Sequence, residues 1–318
     1  MSDSVQQLAE RLRAGDIRAL ARAISLVESQ SPQAGDLLAA CFPFTGRALR
    51  IGITGSPGAG KSTLVDRLGR HFREAGKTVG VIAVDPTSPF SGGAILGDRI
   101  RFQGFSGDPG FYARSMATRG ALGGLARTTS DVASVIEASG KEVILIETVG
   151  VGQDEVDIVR LADVTIVVLV PGMGDDVQSI KAGILEIADI FVINKSDHQG
   201  ADRLETELAA MMGLGHGRDP GWAVPVVRTV ASIGQGTAEL AAAISHFQSW
   251  LACEGRRQQR RAGQWRERIL EIVRQELLRQ IQQAGLGEEE LAELATRVAG
   301  GVENPYVAMP KLIARFKL

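Results

Sequence analysis

The chain of 318 residues has only two cysteines, Cys41 and Cys253, far apart in sequence. That excludes a disulfide framework and fits a reducing compartment, so a cytoplasmic location is expected. Neither sign of charge dominates: 35 Lys and Arg stand against 37 Asp and Glu, a net charge of −2. Such a balance gives no support to a nucleic-acid partner. No window approaches the roughly 18 uninterrupted apolar residues of a membrane-spanning helix. The opening MSDSVQQLAERLRAG lacks the apolar core of a secretory signal. Internal repeats and low-complexity tracts are also missing. What remains is 44% hydrophobic and 23% charged, the composition of a soluble globular protein. The length suits one large α/β domain with extensions.

Residues 1–46 read as two or three helices, with Val5, Leu8 and Leu12, then Ile17, Leu20, Ile24 and Val27, at helical spacing. From 47 to 254, strand and helix patterns alternate. Strands are expected at 49–54, 79–84, 143–147, 164–170, 190–193 and 224–230. They are almost continuously apolar, as buried parallel strands are. The expected body is therefore α/β, a mostly parallel doubly wound sheet. Residues 255–318 form a third segment, with a long helix at 256–284 and a short one at 288–299. Trp265, Ile269, Ile272, Val273, Leu277 and Ile281 mark the apolar side of the long helix. Its basic run, Arg256, Arg257, Arg260 and Arg261, reads as a solvated helix face.

Gly55-Ser56-Pro57-Gly58-Ala59-Gly60-Lys61-Ser62 has the spacing G-x-x-x-x-G-K-S and is followed by Thr63. A strand precedes it, and Leu64, Val65, Leu68 and Phe72 follow at helical spacing. That is the strand–loop–helix context of a P-loop. Backbone N–H groups there wrap a polyphosphate, Lys61 reaches the β- and γ-phosphates, and the Ser62 hydroxyl suits Mg²⁺.

Asn194-Lys195-Ser196-Asp197 follows the strand at 190–193 and has the N-K-x-D form. A carboxylate at Asp197 can accept both N1–H and N2–H₂ of guanine, an arrangement adenine cannot offer. Asn194 is placed to tie this loop to the P-loop, and the Lys195 stem to cover the base. The competing reading, a turn capping the next helix, does not account for the P-loop upstream. The loop Val230-Ala231-Ser232 ends the next strand, where backbone N–H groups would meet guanine O6.

Glu147-Thr148-Val149-Gly150 has the spacing of a phosphate switch, with an acid on the Mg²⁺ side and Gly150 near the γ-phosphate. Asp85 and Asp98 are further carboxylates expected near Mg²⁺, with helix capping or turn formation as the competing reading. The Gly-, Ser- and Pro-rich stretch between them looks like a switch segment. Gln153 is the candidate for orienting the attacking water. It stands three residues past Gly150, which suggests a slow GTPase that needs a partner.

Four longer stretches go beyond a generic GTPase: VDPTSPFSGGAILGDRIRF, SMATRGALGGLA, ILIETVGVGQDE and VPGMGDDVQSIKAGILEIADIFVINKSD. Together they resemble the MeaB/ArgK/MMAA family over about residues 45–245. Beyond that span the pattern extends to the N-terminal helices and to Asn304-Pro305-Tyr306. The resemblance implies a P-loop NTPase of the SIMIBI class whose helical extensions serve dimerisation. It also implies a GTPase chaperone that protects an adenosylcobalamin-dependent acyl-CoA mutase, chiefly methylmalonyl-CoA mutase, and gates its cofactor loading. A further switch is implied at about Gly172–Lys181, with Asp175 and Lys181 at motif positions. Three departures are visible: NKSD for the commoner NKAD, VAS for an SA-type loop, and Gln235 in a GQG where GEG is usual.

Two other functions compete. A nickel-metallochaperone GTPase needs clustered Cys or His ligands, and the four histidines and two cysteines show no such spacing. A partitioning or transport ATPase typically carries an early P-loop lysine, but position 56 is serine. A GTP-binding regulatory module with little hydrolysis of its own is the remaining alternative. Neither nucleic acid nor membrane is expected as a partner.

Overall fold

The computed structural model describes residues 4–85, 102–105, 107–117, 124–148, 157–172, 186–214, 219, 221–283 and 286–314. Three helices open the chain: α1 (Val5–Arg13), α2 (Ile17–Glu28) and α3 (Ala34–Cys41). Ser4 and Gln7 form a reciprocal capping box at the start of α1, and the Asp16 carboxylate caps α2. Each cap satisfies N–H groups that a helix start leaves without partners.

The strands are β1 (Leu49–Gly55), β2 (Val79–Asp85), β3 (Phe111–Ala117), β4 (Val143–Glu147), β5 (Val164–Leu169), β6 (Ile190–Asn194) and β7 (Val226–Thr229). They form one sheet in the order β3-β2-β4-β1-β5-β6-β7, with every pairing parallel. Between them run α4 (Lys61–Glu74), α5 (Gly124–Ala138) and α6 (Ala201–Leu214), and α7 (Thr237–Ala252) follows β7.

Alternation along the strands divides the core in two. Ile51, Ile53, Val81, Leu145, Ile166 and Val192 face α4 and α7. Ile82, Ile144, Ile146, Val167 and Phe191 lie on the other face, where Leu12, Ile24 and Leu37 of the N-terminal helices pack together with Ile136 of α5. These side chains are fully buried, each contributing roughly 1.5–3 kcal/mol relative to exposure. The sheet is thus covered on both sides, which is why its strands read as unbroken apolar runs.

The strand β3 has no counterpart in the sequence reading. Its residues, FYARSMA, include the polar pair Arg114 and Ser115, and it lies at the sheet edge, where one side has no strand neighbour among the described residues. Arg114 pairs with Glu28 of α2, so the polar position is explained by a long-range contact.

The backbone falls into two compact units, residues 1–261 and 262–318. The long helix α8 (Arg256–Gln283) begins in the first and continues into the second, which also holds α9 (Glu288–Ala299) and α10 (Pro305–Ala314). The start of α8 overturns the expectation of a solvated basic face. The Arg256 guanidinium lies 4.6 Å from the Trp250 ring centroid. Arg260 is only 7% exposed and grips both oxygens of Asp189, at 3.0 and 2.6 Å, with Asp219 at 2.8 Å. Arg261 forms a two-pronged pair with Asp163, at 2.9 and 3.0 Å, and donates to the carbonyls of Gly46 and Ala48. Asp163 and Asp189 stand just ahead of β5 and β6, so these arginines fasten the root of α8 to the sheet.

Candidate functional site

Because all seven strands are parallel, their C-terminal ends share one edge. Ile53 is opposite Glu147 on β4, and Gly55 is opposite Val168 on β5. Leu169 is opposite Ile193, and Asn194 is opposite Thr229. The register therefore brings the loop after β1, the acid ending β4, and the loops after β6 and β7 to one rim. In open α/β sheets this rim, where the connections diverge to either side, is where ligands bind.

The loop Gly55–Ser62 turns directly into α4. Gly55 has φ 139°, and a Cβ there would meet the Val168 carbonyl oxygen at 2.1 Å. Gly60 precedes the helix with φ 86°, and a Cβ there would stand 2.4 Å from Asn194 Nδ2. Both sites require glycine, one for close strand approach and the other for the left-handed turn. Ser56, Pro57 and Gly58 are exposed, Ala59 is buried, and Thr63 is exposed on the first turn. Lys61 Nζ donates to Gly55 O at 2.7 Å and Ser56 O at 3.0 Å, so its ammonium lies within the curl of the loop. Ser62 Oγ donates to Glu147 Oε1 at 2.5 Å. Thr148 Oγ1 donates to Thr54 Oγ1 at 2.9 Å, locking the two strand ends together.

Asn194 is 2% exposed and joins three segments. Its Nδ2 donates to Ala59 O at 2.8 Å, and its Oδ1 accepts from Thr229 Oγ1 at 3.0 Å and Ala231 N at 3.1 Å. Lys195 has φ 54° and reaches over the phosphate loop, Nζ donating to Gly58 O at 3.1 Å. Asp197 is exposed beside it. Val230 and Gln235 form a bridge that closes the loop containing Ala231 and Ser232.

Asp85 ends β2, two residues beyond Ala83, which is opposite Glu147. Asp98, Gly150, Gln153, Asp175 and Lys181 lie outside the described residues. Two contributors went unnoticed in the sequence. One is Thr229, and the other is Arg67 of α4, which donates to Ala231 O at 2.9 Å and Ser232 O at 2.5 Å. The only sequence signal for Arg67 is its position two turns past Lys61. The neighbouring Asp66 is engaged by Arg70 instead.

A family model described as methylmalonyl Co-A mutase-associated GTPase MeaB matches residues 20–285. The chain belongs to the MeaB family. Escherichia coli GTPase ArgK is 37% identical over 275 residues, covering 84% of this chain and 83% of that one. The mouse protein named methylmalonic aciduria type A homolog, mitochondrial, is 33% identical over 338 residues, covering 100% of this chain and 81% of its own. A Pyrococcus abyssi protein whose name goes no further than GTPase is 49% identical over 311 residues, 97% of this chain and 96% of that one. A crystal structure titled LAO/AO transport system kinase superposes with a TM-score of 0.74 at 28% identity and full coverage of both chains. The MeaB-family chain is thus a P-loop GTPase that takes a guanine nucleotide. Among the described residues, no helix is long and apolar enough to cross a membrane.

Proposed function

We propose that this MeaB-family GTPase is a nucleotide-controlled chaperone of an adenosylcobalamin-dependent acyl-CoA mutase, methylmalonyl-CoA mutase first among them. The carrying observation is the family match, which spans the nucleotide rim and the root of α8 in one alignment of 266 residues, from 20 to 285. The name of the mouse relative supports the same pathway of action.

In this reading, Gly55–Thr63 cradles the phosphates and Lys61 neutralises the β- and γ-phosphates. Asp197 accepts from guanine N1–H and N2–H₂, Lys195 covers the base, and Val230–Ser232 faces O6. Ser62 and Glu147 suit Mg²⁺: a hydroxyl and a carboxylate already meet beside the helix N-terminus. Asp85 and Asp98 are further carboxylates assigned to it. Among the described residues no three His, Cys, Asp or Glu side chains form a metal cage. When bound, Mg²⁺ offsets charge on the phosphates of the transition state. Gln153 orients the attacking water, and Gly150, Asp175 and Lys181 belong to the switches that sense the γ-phosphate.

Residues 1–46 are assigned as the N-terminal extension, 47–254 as the GTPase domain and 255–318 as a dimerisation arm. Support for the arm is the exposed apolar row Trp265, Ile269, Ile272, Val273 and Leu277. A homodimer would cover it. Turnover alone is slow and rises when the mutase engages the switches.

Sedimentation of the chain with purified methylmalonyl-CoA mutase, in GDP and in a non-hydrolysable GTP analogue, tests this proposal. A complex whose affinity depends on the nucleotide is expected. Absence of a complex in both states would overturn the assignment to that mutase.

A further inference from the structure

The loop after β7 has two of its three candidate amides already occupied. Val230 N–H donates to Gln235 O at 3.0 Å, and Ala231 N–H donates to Asn194 Oδ1 at 3.1 Å. The next two amides turn inward, Ile233 N–H to Val230 O at 3.1 Å and Gly234 N–H to Ala231 O at 3.3 Å. Ser232 N–H, by contrast, donates to no acceptor among the described residues, and Ser232 is exposed. Among the amides of Val230–Gly234, Ser232 N–H is thus the one left without an acceptor among the described residues.

The direction of that amide is set by the other end of its peptide. In a planar trans unit the N–H and C=O point opposite ways, and Ser232 N–H shares its plane with Ala231 C=O. Arg67 Nε donates to that carbonyl at 2.9 Å, while its Nη2 donates to Ser232 O at 2.5 Å. The guanidinium is a rigid planar fork, so it grips two successive carbonyls in one geometry. Rotating the peptide between them breaks at least one of these bonds. Since Arg67 is on α4, the helix that carries Lys61 also orients this loop.

We propose that Arg67 is a positioning residue for guanine selection, locking the Ala231–Ser232 peptide so that Ser232 N–H meets the 6-oxo group of the base. This rests on the base position given under Proposed function. Arg67 acts through the peptide alone. A fixed N–H pairs with the 6-oxo acceptor of guanine, but the 6-amino group of adenine sets a donor against it and leaves both unpaired. Fixing the donor in advance removes an ordering cost from binding.

Calorimetry of the full chain with GDP, 6-thio-GDP and IDP tests the proposal. The thio analogue alters the base at position 6, putting a larger and weaker acceptor there, and IDP removes only the 2-amino group read by Asp197. Wild type should favour GDP over each by about tenfold, the worth of one hydrogen bond. In Arg67→Ala the preference over 6-thio-GDP should fall to within about twofold, while the preference over IDP remains. Arg67→Lys keeps the charge but cannot hold both carbonyls. It should show the same loss, and it carries the test if the alanine variant does not fold. Wild-type ratios in the variants, or parallel loss of both preferences, would overturn the role of Arg67. A wild-type protein indifferent to the 6-thio change would instead remove the loop from base reading altogether.

Discussion

Ser62 Oγ donates to Glu147 Oε1 at 2.5 Å, across 85 residues of sequence. The contact joins the first turn of α4 to the end of β4, so a hydroxyl from the phosphate loop and a buried carboxylate stand together. Glu147→Gln keeps the shape of the side chain and removes its charge. Turnover of GTP in Mg²⁺ should fall by about a hundredfold or more, the scale of losing an electrostatic group at a phosphoryl-transfer site. GDP affinity in the absence of Mg²⁺ should stay within about threefold of wild type, since the proposed role of Glu147 is toward the metal and not the base. Steady-state turnover and calorimetry read the two effects. Wild-type turnover in the variant would remove Glu147 from the site.

Asn194 and Asp197 belong to one short loop but should respond oppositely. Asn194 is buried with three partners, so Asn194→Ala leaves Ala59 O, Thr229 Oγ1 and Ala231 N unmatched. A loss of about 3 kcal/mol in unfolding free energy is expected. Asp197 is exposed, so Asp197→Asn should leave stability unchanged. It should weaken the preference for GDP over ADP by about 1.5–3 kcal/mol, roughly 10- to 150-fold. Denaturant titration and nucleotide calorimetry separate the two, and equal stability of both variants would contradict this division.

The Arg261–Asp163 pair makes a pH prediction. Burial alone would raise the Asp163 carboxyl above its ordinary 3.8, but the Arg261 guanidinium outweighs it and holds the group lower. A depressed carboxylate stabilises the fold above the unfolded-state value, and that stabilisation is lost as pH falls through the folded value. Arg261→Gln leaves the buried carboxylate unpaired, at a cost of about 3–5 kcal/mol near neutral pH. The stability gap between wild type and variant should therefore narrow as pH falls through the lowered folded value of the Asp163 carboxyl. Chemical denaturation at a series of pH values reads the gap. A constant gap from neutral to acidic pH would show that the pair does not supply it.

The two cysteines should differ in reactivity. Burial pushes the Cys41 thiol up to about 11, whereas Cys253 is exposed. Because the thiolate is the reactive form, a disulfide reagent at neutral pH should modify Cys253 at once and Cys41 only on unfolding. Rapid labelling of both in the native protein would show that α3 opens readily from α1, α2 and α5, the helices it packs against.

Most of this architecture was legible because it depends on local pattern. Val143–Glu147 and Ile190–Asn194 are buried on both faces, and their apolar runs announce that directly. The glycines and Lys61 in the phosphate loop are equally plain, because only glycine fits the backbone at Gly55 and Gly60. Long-range partners were not legible. β3 holds Arg114 and Ser115 because it is an edge strand with Glu28 nearby, and nothing adjacent in sequence says so. Arg260 and Arg261 looked like a solvated face because helical periodicity cannot reveal Asp189 and Asp163. Arg67 was hidden for the same reason: its partners are carbonyl groups 164 and 165 residues away.

GTP turnover by the full chain, measured with and without purified adenosylcobalamin-dependent methylmalonyl-CoA mutase, tests the central claim most directly. A mutase that reads the nucleotide must shift nucleotide affinity in return, and a mutase that engages the proposed switches should also change the rate of hydrolysis. Slow turnover alone and at least about tenfold faster turnover with the mutase is the expected result, a modest share of what partner proteins supply to other GTPases. Identical turnover with and without the mutase, across a range of mutase concentrations, would contradict the chaperone account.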